Sequence, residues 1–165
     1  MVDYNYNLLE DNNKNVSKKS YVFTILFTTC LLTLGSYYCF DMPSVLQSDL
    51  EDLIISKFSS DVSHYYNLFY LVYAYTNMLM CLFSGMLVDR WGLYRSLVLF
   101  LCFCFFGSLL FGLGPWLYLD MNIDGLSAYG CYIIMLFGRF FFGLGNGSLT
   151  ICQNAIIAMY FKDGN

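Results

Sequence analysis

Gly85-Met86-Leu87-Val88-Asp89-Arg90-Trp91-Gly92-Leu93-Tyr94-Arg95 is the stretch that decides the fold. It is a short charged hinge between two long apolar segments. Residues 65–88 before it and 96–118 after it are each long enough to cross a bilayer, which takes roughly 20 residues. A hairpin of two spans this tight needs a sharp turn, and Gly92 can adopt backbone angles that other residues rarely reach. Gly85 stands one helical turn before Asp89, where a missing side chain would admit another helix. Asp89, Arg90 and Arg95 are the densest charge cluster in the apolar part of the chain.

Composition agrees with membrane spans. Of 165 residues, 58% are hydrophobic and 20% aromatic, and only 12% are charged. A soluble domain is nearer half apolar and a quarter charged. The fold class expected is all-α, a polytopic membrane protein. A net charge of −4 argues against a nucleic-acid partner. The seven cysteines lie in or beside apolar runs, with neither a disulfide framework nor zinc spacing.

Outward from the hinge, the chain divides simply. Residues 1–20 form a polar tail, read as disordered, and 21–165 form one α-helical membrane unit. Spans are expected at about 21–40, 65–88, 96–118 and within 129–161. Pro43 is expected to end span one and Pro115 to break span three. Thr24, Thr28, Gly35 and Cys39 share a face of span one that should meet protein or a cavity. In residues 44–58, Leu46, Leu50, Leu53 and Ile54 recur at helical spacing among acids, which predicts a short amphipathic helix outside the bilayer. Span two carries a small and polar stripe at Asn67, Tyr70, Ala74, Asn77, Cys81, Ser84 and Gly85. Residues 119–127 read as a polar loop, and Lys162 to Asn165 as a polar end.

Orientation follows the basic residues. Lys14, Lys18, Lys19, Arg90, Arg95 and Lys162 all fall on the side of the N-terminus, and only Lys57 falls opposite. The N-terminus is therefore expected in the cytoplasm, with the acidic 41–64 segment facing a lumen or the outside.

Span four holds the second informative stretch. Arg139 is the only basic residue within a span. At 3.6 residues per turn, Arg139, Gly143, Asn146, Gly147, Thr150 and Asn154 fall within an arc of roughly 100°. A charge facing lipid costs at least ~2.5 kcal/mol, so this face should line protein or a water-filled cavity. It is the candidate substrate or ion pathway. Gly138, Gly143, Gly145 and Gly147 also permit close helix contacts.

The pattern at Gly85, Asp89, Arg90, Gly92 and Arg95 resembles the signature loop between helices two and three of the major facilitator superfamily. It departs at Tyr94, where the family often has a basic residue. Arg139-x-x-x-Gly143-x-Gly145 resembles the arginine pattern in helix four of the same superfamily. Gly35-Ser-Tyr-Tyr-Cys-Phe-Asp41-Met-Pro43-Ser-Val-Leu-Gln47 is similar to a stretch of its lysosomal dipeptide transporter branch. So is Gly138 to Gly145, continued by Ser148-Leu149 and Gln153-Asn154. The resemblance runs from about residue 21 to Phe161. Met42 stands where the branch has asparagine, and Gly147 where it has glutamate.

The resemblance implies a secondary active or facilitative transporter of small organic solutes, with dipeptides or amino acids as candidates. It implies a gating role for the 85–95 motif, no dedicated cofactor, and leaves proton coupling open. It implies as partners the lipid bilayer, a small-molecule solute, transporter helices beyond this chain, and a lumenal glycosylated accessory subunit. A lysosomal or vacuolar membrane is favoured over the plasma membrane. Four spans are fewer than alternating access needs, so the chain is expected to be the N-terminal part of a longer transporter. The rival reading is a four-span scaffold or adaptor without transport. An intramembrane enzyme is not expected: Asn146 stands where an aspartyl protease needs an acid, and an amide cannot act as a base.

Overall fold

The computed structural model describes the backbone of residues 2–57, 60–120 and 128–162. Its order is α1 (Val2–Val45), α2 (Gln47–Leu53), a 3-10 turn (Ile55–Lys57), α3 (Val62–Trp91), α4 (Leu93–Asp120) and α5 (Ala128–Lys162). The fold is all-α. Four of its helical stretches are long and apolar enough to cross a membrane: Tyr21–Val45, Val62–Trp91, Leu93–Tyr118 and Ala128–Met159.

The turn read from Gly92 is present. Gly92 alone joins α3 to α4, at φ 85° and ψ 155°. Its N–H donates to the Val88 carbonyl at 2.9 Å, and its own carbonyl accepts from the Ser96 N–H at 3.2 Å. The Ser96 hydroxyl adds a bond to the Leu87 carbonyl at 3.3 Å. One left-handed residue thus reverses the chain while the backbone groups on both sides stay paired.

Three expectations are corrected. Pro43 does not end span one, and Pro115 does not break span three; both lie inside continuous helices. Spanning helices tolerate proline because neighbouring elements re-pair the freed backbone groups. The Tyr66 hydroxyl donates to the Pro43 carbonyl at 3.2 Å, pairing a carbonyl in the last turn of α1. The polar lead is not irregular, since α1 begins at Val2. The amphipathic 44–58 segment holds the expected short helix, Gln47–Leu53, and its apolar face packs on the bundle. Leu50, Ile54 and Ile55 are buried against Tyr66, Phe69, Phe111, Tyr132 and Met135, closing one end of the bundle. Among the described residues, nothing lies within 4 Å of the Cβ that Gly85 lacks. Residues 121–127 and 163–165, which hold most of the loop and the polar end, lie outside the described residues, as do the side chains of residues 2–20.

Helix α5 is the centre of the bundle, packed most extensively on α4 and then on α3. Glycines make the α4–α5 approach close. A Cβ on Gly107 would stand 2.7 Å from the Gly138 carbonyl, one on Gly138 2.6 Å from the Phe111 nitrogen, and one on Gly145 2.6 Å from the Phe100 carbonyl. Between lipid-soluble helices, such contact replaces the hydrophobic driving force that water would supply. Helix α1 is held differently, by hydrogen bonds more than by apolar packing.

Candidate functional site

Three residues seven apart on α5, Arg139, Asn146 and Gln153, turn toward α1. A seven-residue step drifts only about 20° on an α-helix, so they share one seam. On α1, Thr33, Ser36 and Phe40 face them in the reverse order, because the two helices run antiparallel. The Thr33 hydroxyl donates to Gln153 Oε1 at 3.1 Å. The Ser36 hydroxyl donates to Asn146 Oδ1. Arg139 Nη2 donates to the Phe40 carbonyl at 3.2 Å. The middle rung extends to α3, where Asn146 Nδ2 donates to the Tyr73 hydroxyl at 2.7 Å and Asn77 Nδ2 donates to the same oxygen at 3.3 Å.

The end rungs are incomplete. Arg139 is only 3% exposed and Gln153 only 4%, yet Arg139 Nε and Gln153 Nε2 are buried without a partner. No described acid forms an ion pair with Arg139. Its guanidinium lies instead 4.6 Å from the centroid of the Phe111 ring and 5.7 Å from that of Phe142. Ring faces attract a cation, by up to roughly 2 kcal/mol when desolvated, but do not neutralise it.

Each open rung borders a cavity. Arg139 lines one of about 210 Å³, with Cys39, Met42, Gly107, Phe111 and Phe142. Gln153 lines one of about 420 Å³, with Thr29, Leu32, Leu93 and Leu97. The Ser36–Asn146–Tyr73 contact stands between the two open rungs. Thr24 and Thr28 also border the larger cavity and Cys39 the smaller, whereas Gly35 faces open space.

The six residues of the expected pathway therefore separate. Arg139 and Asn146 come together on the seam. Gly143 and Gly147 pack against α3: a Cβ on Gly143 would stand 2.9 Å from the Tyr73 carbonyl, and one on Gly147 would run into the Asn77 carboxamide. Thr150 and Asn154 are exposed, and Thr150 bonds only the Asn146 carbonyl of its own helix, at 3.3 Å. At the hinge, Asp89, Arg90 and Arg95 are all exposed and none forms an ion pair with a described residue. Tyr73, Ser36, Thr33 and the Phe40 carbonyl belong to the cluster but were not among the expected residues, and neither was Gln153. The seven-residue spacing of Arg139, Asn146 and Gln153 was the signal for the last.

No family model matches the chain, and no solved structure matches it. Curated relatives do. The lysosomal dipeptide transporter MFSD1 of Homo sapiens is 30% identical over 148 residues, 88% of this chain and 28% of that protein. The protein of the same name from Pongo abelii is 31% identical over 140 residues, 84% of this chain and 26% of its own length. That from Danio rerio is 30% identical over 139 residues, again 84% and 26%. The chain spans about a quarter of the length of the curated relatives it matches.

Proposed function

We propose that this chain, a relative of the lysosomal dipeptide transporters of the major facilitator superfamily, forms part of a transporter's solute pathway. The observation that carries the proposal is Arg139. It is a cation inside a span, removed from solvent, without a counter-ion among the described residues, and bordering a cavity. A buried charge is costly unless paired, and membrane proteins keep such residues mainly on solute or ion routes. An anionic group of a solute would supply the missing partner.

The solute class proposed is a small zwitterionic or anionic organic molecule, a dipeptide or an amino acid. The α1–α5 seam would be the wall against which it binds. Gly85, Asp89, Arg90, Gly92 and Arg95 would act as a gate at the other end of α3, with exposed Asp89 meeting groups outside this chain. Exposure of all three charged residues, with no partner among the described residues, supports that role. We place the N-terminus in the cytoplasm, from the basic asymmetry, and the protein in a lysosomal or vacuolar membrane, from its relatives. A lumenal accessory subunit and proton coupling belong to the same proposal.

The test is uptake of labelled dipeptides and amino acids into proteoliposomes by the full-length protein. Saturable uptake, competed by unlabelled solute, is expected. Absence of uptake for every zwitterion and organic anion tried would contradict the proposal.

A further inference from the structure

The cavity beside Arg139 is small and almost wholly apolar. Its volume is about 210 Å³. Pockets that enclose a whole small molecule run to roughly 300–1,000 Å³, so this one takes only one end of a solute. Helices α1, α4 and α5 wall it with Met42, Phe111, Pro115 and Phe142. Two polar side chains line it besides Arg139. The Ser108 hydroxyl spends its hydrogen on the Cys104 carbonyl at 2.9 Å, and Cys39 brings a thiol, a weak donor. No acid is among the described lining residues.

These contents decide which end of a zwitterion enters. Arg139 Nε is buried without an acceptor, whichever way the neighbouring amides are turned, because a guanidinium has only hydrogens to offer. A carboxylate brings it lone pairs and a counter-charge. An ammonium group would add a second positive charge where no acid answers it. The rest of the wall is apolar, so a carboxylate with water behind it would leave that water short of partners. An apolar group on the next carbon fills the space instead. A carboxy-terminal residue with an aliphatic or aromatic side chain carries both groups on one α-carbon.

Gly112 stands where the size of that side chain is decided. It shares a face of α4 with Ser108, four residues before it, and Pro115, three after, and all three line the cavity. Gly112 is exposed, so it lies at the rim, and no described residue comes within 4 Å of the Cβ it lacks. Gly107 and Gly138 line the same cavity but differ, because a Cβ on either would run into the backbone of the facing helix. Their bareness serves helix packing. That of Gly112 leaves the mouth open.

We infer that this cavity is a subsite for the carboxy-terminal residue of the solute, holding its carboxylate at Arg139 and its apolar side chain against Phe111 and Phe142, with Gly112 setting the largest side chain admitted. The inference rests on the solute-pathway reading and adds which part of the solute enters and how its size is chosen.

The test uses two isomeric dipeptides, alanyl-leucine and leucyl-alanine, with full-length wild type, Gly112→Ala and Gly112→Val in proteoliposomes. The isomers share composition and charge, and differ only in which residue carries the isobutyl group. In Gly112→Val the ratio of KM for alanyl-leucine to KM for leucyl-alanine should rise about four- to fifteenfold, the effect of keeping one or two methylene groups out of the cavity. Gly112→Ala, the smaller change, should raise the ratio by up to about fourfold, and it carries the test if the valine variant fails to insert. A ratio unmoved in the inserted variants, or a fall in maximal rate alone, overturns the inference. The C-terminal amide of alanyl-leucine should compete for wild-type uptake about tenfold more weakly than the acid, and equal competition likewise overturns it. If the wild type takes up neither isomer, the transport reading fails by itself. Binding then decides, read as the rise in unfolding midpoint that each dipeptide gives the purified proteins. A rise that the Gly112 variants weaken for alanyl-leucine more than for leucyl-alanine supports the inference. Equal weakening, or no rise with either dipeptide, overturns it.

Discussion

Arg139 and Gln153 lie on one face of α5, each buried beside a different cavity and each with a nitrogen that has no partner. Asn146, midway between them, bonds through both amide atoms, to Ser36 and to Tyr73. The polar seam is thus closed in its middle and open at both ends. Removing charge from one open end should reveal what it costs the fold. Replacing an unpaired buried ion by an apolar group of similar size is neutral or stabilising. We expect Arg139→Met to leave the thermal unfolding midpoint of the purified protein unchanged or higher. A fall of several degrees would show that the Phe40 carbonyl and the two rings satisfy the guanidinium after all.

The α4–α5 contact depends on absent side chains. Gly107→Ala or Gly138→Ala places a methyl group 2.6 to 2.7 Å from backbone atoms of the facing helix. Backbone cannot step aside as a side chain can, so each change should cost about 1–3 kcal/mol. Gly35→Ala meets nothing within 4 Å and should be neutral or mildly stabilising, as alanine is the better helix former. Thermal unfolding of the three variants checks the contrast, which equal melting of all three would erase.

Much of this was legible in the sequence, and the failures are instructive. The spans and the Gly92 turn could be read because hydropathy and a glycine between charged residues are local signals. Arg139 could be read because an ion inside a span has few acceptable environments. The arc drawn around it was displaced, however. It ran from Asn146 toward Gly147 and Asn154, whereas the face that meets α1 runs from Arg139 through Asn146 to Gln153. Those three drift the opposite way by about 20° per seven residues. Gly143 and Gly147 fell on the side covered by α3, and Thr150 and Asn154 where no described helix reaches. Tyr73 was hidden because a tyrosine in an aromatic-rich span carries no sign of which hydroxyl will be crowded by two amides. Pro43 and Pro115 were misread because rules for helix breaking in water do not carry over to bilayer helices.

Asp89 is exposed and forms no ion pair within the described residues. In the full-length protein, Asp89→Asn should slow transport while leaving membrane insertion and solute affinity nearly intact. Wild-type rates from a correctly inserted Asp89→Asn protein would remove the gate from the account.

Gly147 offers a test of solute choice. With no acid there, dependence on a free substrate amine should be weak, so N-acetylated dipeptides should compete nearly as well as free ones. Gly147→Glu should restore a preference for the free amine, but a Cβ at that position collides with the Asn77 carboxamide. The single variant should therefore be destabilised, and Asn77→Ala in the same protein should relieve it. Strong rejection of acetylated dipeptides by the wild type, unchanged in Gly147→Glu with Asn77→Ala, would refute this.

Topology can be checked separately. Ser59 and Asn122, both outside the described residues, fall by sequence in the two segments expected on the non-cytoplasmic side. Single cysteines there, in a cysteine-depleted protein, should react only with reagent applied from that side. Labelling from the cytoplasm alone would invert the assignment.

The most direct measurement of the central claim is dipeptide uptake by full-length wild type and Arg139→Gln in proteoliposomes, with insertion and melting verified for both. A charged hydrogen bond contributes about 1.5–3 kcal/mol, so losing the cation should weaken uptake at low solute concentration by roughly ten- to a hundredfold. That loss is expected in a protein that is inserted and melts no lower than wild type. Undiminished, saturable uptake by Arg139→Gln would contradict it.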